Sequence, residues 1–105
     1  MIVLDKDNFQ PEVKEAKGLV LVDYWSESCE PCKALMPEVA ALGEKYGEQV
    51  KFTKLDVTKA RRLAISEQVL GLPTIILYKD GQKIEELIKD DVTAGNIEAM
   101  IQKAI

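Results

Sequence analysis

The order of the periodic segments, one nearly continuous apolar run and a single Asp-Gly turn predict an α/β protein. The expected architecture is a three-layer α/β/α sandwich with a central mixed five-stranded sheet and four helices. Strand-like and helix-like spacing alternate along 105 residues, the length of one ordinary domain, so residues 1–105 are expected to form a single unit. The apolar run Leu19 to Trp25 reads as a strand covered on both faces, as in a parallel sheet. Asp80-Gly81 reverses the chain between two strand-like runs and makes the last pair antiparallel, which makes the sheet mixed.

Each element has its own justification. Ile2-Val3-Leu4 reads as a short first strand, and Asp7 is placed to cap a helix through about Glu15 that buries Phe9 and Val13. Gly18 resets the chain before the central strand. From Pro31 to about Tyr46, Leu35, Val39, Leu42 and Tyr46 recur at helical spacing. Pro31 stands in the first turn, where a missing N–H costs nothing, whereas Pro37 is expected to kink the helix by displacing the Lys33 carbonyl. Val50 to Val57 alternates as a strand, Thr58 is placed to cap a short helix through about Glu67, and Gly71-Leu72-Pro73 leads into the strand Thr74 to Tyr78. After the turn come a strand from Lys83 to Ile88 and a final helix with a buried stripe of Ile97, Met100, Ile101, Ala104 and Ile105. Right-handed crossovers place the helices on both sheet faces.

Composition removes several function classes. Fourteen basic and eighteen acidic side chains leave a net charge of −4 with the cations scattered, which argues against a nucleic-acid partner. No run approaches the roughly 18 apolar residues of a membrane span. The start, Met1 to Asp7, has neither a basic leader with a long apolar run nor an Arg-rich transit segment, so a cytoplasmic address is expected. The absence of histidine excludes the imidazole base and the imidazole metal ligand. Two cysteines cannot furnish a four-ligand zinc site, so no metal is expected, and the chemistry below needs no cofactor.

Those two cysteines, Cys29 and Cys32, bracket Glu30-Pro31 at the predicted mouth of a helix on the carboxyl side of the central strand, where open α/β sheets place their sites. A sulfur at Cys29 would face unpaired N–H groups and the positive end of the helix dipole, which favour thiolate. Cys32, three residues on, shares the helical face at about 5–6 Å between Cβ atoms, close enough for a disulfide that opens and closes without unfolding. Position orders the roles: Cys29 attacks, and Cys32, one turn deeper, resolves the mixed disulfide. Inert thiols and a structural disulfide are the plainer readings. So small a loop removes little unfolded-state entropy, however, and a reducing cytosol would open it. A two-sulfur metal site borrowing carboxylates lacks further soft ligands.

The stretch Val22-Asp23-Tyr24-Trp25-Ser26-Glu27-Ser28-Cys29-Glu30-Pro31-Cys32-Lys33 resembles the active-site signature of the thioredoxin family, and Gly71-Leu72-Pro73-Thr74 resembles its second signature. The similarity extends over Lys54-Leu55-Asp56, the Lys79-Asp80-Gly81 hairpin and the last helix, essentially the whole chain. It implies the thioredoxin fold and a general protein-disulfide reductase acting by dithiol-disulfide exchange. The implied partners are disulfide-containing protein substrates and a thioredoxin reductase, with the chain working as a monomer. A disulfide oxidase or isomerase, and a non-catalytic binding subunit using the same cleft, are the competing readings.

Asp23 interrupts the central strand on the same face as Leu21 and Trp25 and is expected to be buried. Desolvation would raise its pKa toward the range where it can accept a proton from Cys32, the role the resemblance implies. The bland alternative is an aspartate bonded only to backbone. The resemblance implies that Lys54 approaches Asp23 and tunes that exchange, although a strand lysine is ordinarily a solvated edge residue. Trp25, Glu30, Pro31, Leu72 and Pro73 are the expected substrate-binding residues, with a buried core tryptophan the alternative reading of Trp25. Leu72-Pro73 is the expected cis peptide, since proline alone makes that form accessible and the family's matching proline is cis. Ser28, Glu30 and Asp90 depart from the family's usual tryptophan, glycine and glycine. With Glu27 and Asp91 they would put negative charge around Cys29, disfavour its thiolate and change which partners dock.

Overall fold

A computed structural model describes residues 1–105. Five strands form one sheet in the order β1-β3-β2-β4-β5: β1 (Ile2–Leu4), β2 (Leu19–Trp25), β3 (Val50–Asp56), β4 (Thr74–Lys79) and β5 (Gln82–Ile88). β1, β3 and β2 run parallel, β4 lies antiparallel to β2, and β5 antiparallel to β4. Three α-helices, α1 (Glu30–Tyr46), α2 (Arg61–Ser66) and α3 (Ala94–Ala104), pack with a π-helical turn at Gln10–Lys14, giving the four helices of the expected sandwich. No helix is long and apolar enough to cross a membrane.

The two-period of the strands divides the core. Leu21, Phe52, Ile75 and Leu77 point to one face and are covered by Leu35, Val39 and Leu42 of α1 and Ile97, Met100 and Ile101 of α3. Val20, Val22, Tyr24, Leu55, Ile76 and Tyr78 point to the other, under Phe9, Val13 and Ala64. β2 is therefore walled on both sides, as its apolar run demands, and each fully buried aliphatic side chain there contributes about 1.5–3 kcal/mol. β5 is the exposed edge, and Lys83, Glu85 and Glu86 keep it from pairing with other chains.

Several boundaries differ from expectation. Asp7 does not cap the first helical segment: the Asp5 carboxylate accepts from the N–H groups of Asp7 and Asn8. The segment is also shorter and wider, Glu15 N–H donating to the Gln10 carbonyl five residues back, yet it buries Phe9 and Val13 as expected. Thr58 is likewise not the cap. Asp56 Oδ1 accepts from both the N–H and the hydroxyl of Thr58, turning the chain through a 3₁₀ turn at Val57–Lys59 before α2 starts at Arg61. In both cases a carboxylate two residues earlier makes the turn, accepting main-chain N–H groups ahead of the helical segment. Pro37 lies inside α1, as expected. The stripe on α3 ends earlier than its spacing suggests, with Ala104 half-buried and Ile105 exposed at the free terminus.

Left-handed backbone occurs at Gly18, Gln68, Asp80, Gly81 and Lys89. Asp80 (φ 51) and Gly81 (φ 83) form the β4–β5 hairpin, the positive pair that matches strand twist. A Cβ at Gly81 would collide with the Lys14 carbonyl oxygen. Gly81→Ala should therefore destabilise the protein by at least about 1–2 kcal/mol in urea unfolding, and an unchanged midpoint would refute that packing. Gln68 (φ 65) ends α2, its N–H donating to Ile65 and that of Val69 to Ala64, which closes the helix without the usual glycine.

Candidate active site

The carboxyl end of β2 hands the chain directly to the amino end of α1. Ser26 is buried, and the Cys29 N–H closes a tight turn back onto its carbonyl at 3.2 Å. Cys29 then caps α1 from an extended conformation (φ −92, ψ 97), and Pro31 occupies the first turn as expected. Its Sγ accepts from the Cys32 N–H at 3.3 Å, so the sulfur lies against one of the unpaired donors of the helix end. Cys29 and Cys32 are joined in a disulfide with Cα atoms 5.3 Å apart. Cys29 is half-buried and Cys32 only 1% exposed, which leaves one sulfur open to a partner and one sheltered on the inner face of α1 with Leu35 and Val39.

Asp23 sits on that same side of the sheet, between Lys54 of β3 and Ile75 of β4 in register. It is 1% exposed and neither carboxylate oxygen has a hydrogen-bond partner within the chain. Burial pushes its pKa from 3.8 to about 7, while the Lys54 charge pulls it down by less. Lys54 makes no hydrogen bond to Asp23: it is half-buried, with Nζ 5.6 Å from the centre of the Trp25 ring, a cation–π arrangement. The approach expected of Lys54 is thus electrostatic. Trp25, partly exposed, roofs the lysine rather than filling the core.

Across the sheet end, Thr74 registers with Tyr24, so Pro73 emerges beside Trp25. The Leu72–Pro73 peptide is cis and Pro73 is buried, its carbonyl accepting from the Lys89 N–H at 2.8 Å. Neither the N–H nor the carbonyl of the half-buried Leu72 is hydrogen-bonded within the chain. Pro31 and Glu30 are exposed. Glu30 reaches Lys33 at 3.8 Å, a contact between exposed side chains that contributes little. Asp90 and Asp91 lie exposed in a 3₁₀ turn at Lys89–Asp91, which the Lys89–Pro73 hydrogen bond holds next to the proline.

The nine residues expected at the site thus converge on one end of the sheet, Asp23 and Lys54 from beneath. A groove of about 760 Å³ lies elsewhere, between β1, α1 and β3, and of the nine only Lys54 lines it. One cluster escaped sequence reading: Tyr24, Tyr78 and Glu67, hydrogen-bonded together on the sheet face opposite Asp23. Strand alternation puts both tyrosines on one face, but nothing local places Glu67 against them.

Comparison with known proteins agrees with this geometry. A family model described as Thioredoxin matches residues 1–103. The chain is 67% identical over 105 residues to a thioredoxin of Acetoanaerobium sticklandii, covering 100% of both chains. It is 59% identical over 105 residues to a thioredoxin of Peptoclostridium acidaminophilum, covering 100% of this chain and 96% of that one. A thioredoxin of Coprinus comatus is 32% identical over 105 residues, 99% of this chain and 96% of its own.

Proposed function

The chain belongs to the thioredoxin family and is a thiol-disulfide oxidoreductase working by dithiol-disulfide exchange; from that premise we propose how its residues divide the reaction. The observation that carries the proposal is the asymmetry of the pair, a half-exposed sulfur at a helix amino end bonded to a fully sheltered one.

In the reduced protein the Cys29 thiolate, stabilised by the α1 dipole and the Cys32 N–H, attacks one sulfur of a substrate disulfide. The substrate S–S bond breaks, one substrate thiolate leaves and takes a proton, and a mixed disulfide joins Cys29 to the other sulfur. The Asp23 carboxylate then accepts the Cys32 proton, helped by a pKa near 7 that lets it exchange protons at neutral pH. The Cys32 thiolate attacks Cys29 Sγ, the second substrate thiolate departs and is protonated, and Cys29–Cys32 closes. Two electrons have passed to the substrate. Lys54 tunes Asp23 through its charge and holds Trp25 through its ammonium. The free N–H and carbonyl of Leu72 pair with an extended stretch of substrate, Pro73 fixes that segment, and Trp25, Glu30 and Pro31 complete the docking surface.

Family members act on disulfide substrates and are reduced by thioredoxin reductase; the same two partners are proposed here, with residues 1–105 acting as one monomeric domain. The cytoplasm is the proposed place of work, since a loop this short is a poor structural staple and a reducing compartment suits a donor. Incubating Cys32→Ser with oxidised insulin should accumulate a mixed disulfide at Cys29, detected by mass and released by dithiothreitol. Recovery of only free protein would overturn the assignment of Cys32 as the resolving thiol.

A further inference from the structure

We propose that Glu67 is a positioning residue for the substrate-holding segment Leu72–Pro73, acting through a buried hydrogen-bond chain behind the sheet. The inference rests on the reading that Leu72 pairs with substrate. The Tyr24 and Tyr78 hydroxyls lie 2.7 Å apart, and Tyr78 donates to Glu67 Oε1 at 2.7 Å. A phenol carries one proton, so with that of Tyr78 given to the carboxylate, Tyr24 must donate to Tyr78. The chain therefore runs one way and ends on Glu67. Both tyrosines are fully buried and Glu67 is 9% exposed, so water cannot easily replace these partners.

Glu67 makes two further ties. Its Oε2 meets Lys14 Nζ at 3.6 Å, and that ammonium lies 5.8 Å from the Tyr78 ring centre. Its main-chain carbonyl accepts from Lys83 Nζ. One residue thereby joins β2, β4, β5 and the first helical turn at the point where the chain leaves α2. The segment that follows is also tied at this end by the Gln68 and Val69 N–H groups, which donate to the Ile65 and Ala64 carbonyls. Gln68 is left-handed, Leu70 is 86% exposed, and Val69 is the one side chain that enters the core before Leu72. At the far end, Thr74 holds the Gly71 carbonyl and Lys89 holds that of Pro73. Leu72, whose side chain packs against the core on the Tyr24–Tyr78 face, thus lies between two anchors, of which Glu67 is the one on the α2 side. Loosening it should leave the sulfur chemistry untouched while adding an ordering cost to substrate pairing at Leu72.

The test compares Glu67→Ala, Glu67→Gln and Tyr78→Phe with wild type in insulin reduction, in the Cys29–Cys32 midpoint potential and in the rate of reduction by dithiothreitol. Glu67→Ala should raise the insulin KM about fivefold, with kcat, the potential and the dithiothreitol rate unchanged. Glu67→Gln keeps an oxygen for Tyr78 and should restore KM, whereas Tyr78→Phe should behave like Glu67→Ala. An unmoved KM in folded Glu67→Ala overturns the proposal, as does a KM rise matched by an equal change in potential. If Glu67→Ala does not fold, Tyr78→Phe must still exceed Glu67→Gln in KM, and equal values overturn it. A wild-type protein inert toward insulin would overturn the site reading as well; an active one with unmoved KM in the variants overturns the positioning role alone.

Discussion

Cys29→Ser should abolish protein-disulfide reduction while leaving the fold intact. The attacking species must be an anion at neutral pH. A thiol near its ordinary pKa of about 8.5 is already partly ionised, and a helix amino end lowers that value further. A serine hydroxyl at the same place stays protonated and is a far poorer nucleophile. Structure should not suffer: serine is a preferred helix cap, and its oxygen can accept the Cys32 N–H that Sγ accepts now. Insulin turbidity with dithiothreitol as donor measures the loss, and circular dichroism checks the fold. Turnover in the variant above the uncatalysed dithiothreitol rate would remove Cys29 from the attacking role.

The second large effect concerns Asp23 and has opposite signs in rate and stability. Asp23→Asn should slow resolution of the mixed disulfide at pH 7 by about 10²-fold or more, the range for loss of a general base. A burst of mixed disulfide without matching turnover would report it, and an unchanged rate would discard the base role. Stability should move the other way. The folded pKa of about 7 stands above the unfolded value of 3.8. Between those values the native state holds a proton that the unfolded chain has released, so stability falls as pH rises from about 4 to 7 and levels off above. The difference, about 7 less 3.8, is roughly 3 pH units, or on the order of 4 kcal/mol. Asp23→Ala should recover much of that at pH 8, less the cost of the small cavity, and gain nothing at pH 4. Urea unfolding of the oxidised protein at the two pH values is the measurement; an equal shift at both would refute the burial argument.

The elements and their order were legible because each is written in local periodicity. Leu19 to Trp25 could only be a strand buried on both faces, and Leu35, Val39, Leu42 and Tyr46 could only be one stripe of a helix. The cysteines were legible for the same reason, since three residues at a helix start bring two sulfurs within bonding reach whatever the rest of the chain does. The caps were misread at Asp7 and Thr58 because carboxylates two residues earlier, Asp5 and Asp56, turn the chain by accepting the N–H groups of Asp7, Asn8 and Thr58. Ile105 was misread because periodicity continues to a chain end where no neighbour remains to cover it.

The amino-acid order by itself determined the layers, the hairpin and a redox-capable pair at a helix mouth. Tertiary structure alone decided how strongly Asp23 resists ionisation, that Lys54 reaches the Trp25 ring instead of hydrogen-bonding the carboxylate, and that Glu67 ends a chain begun at Tyr24. Periodicity and spacing act over a few residues along the backbone. Desolvation, charge and hydrogen-bond partnership act through space, here between β2, β3, β4 and the end of α2, and depend on distances that no local pattern encodes.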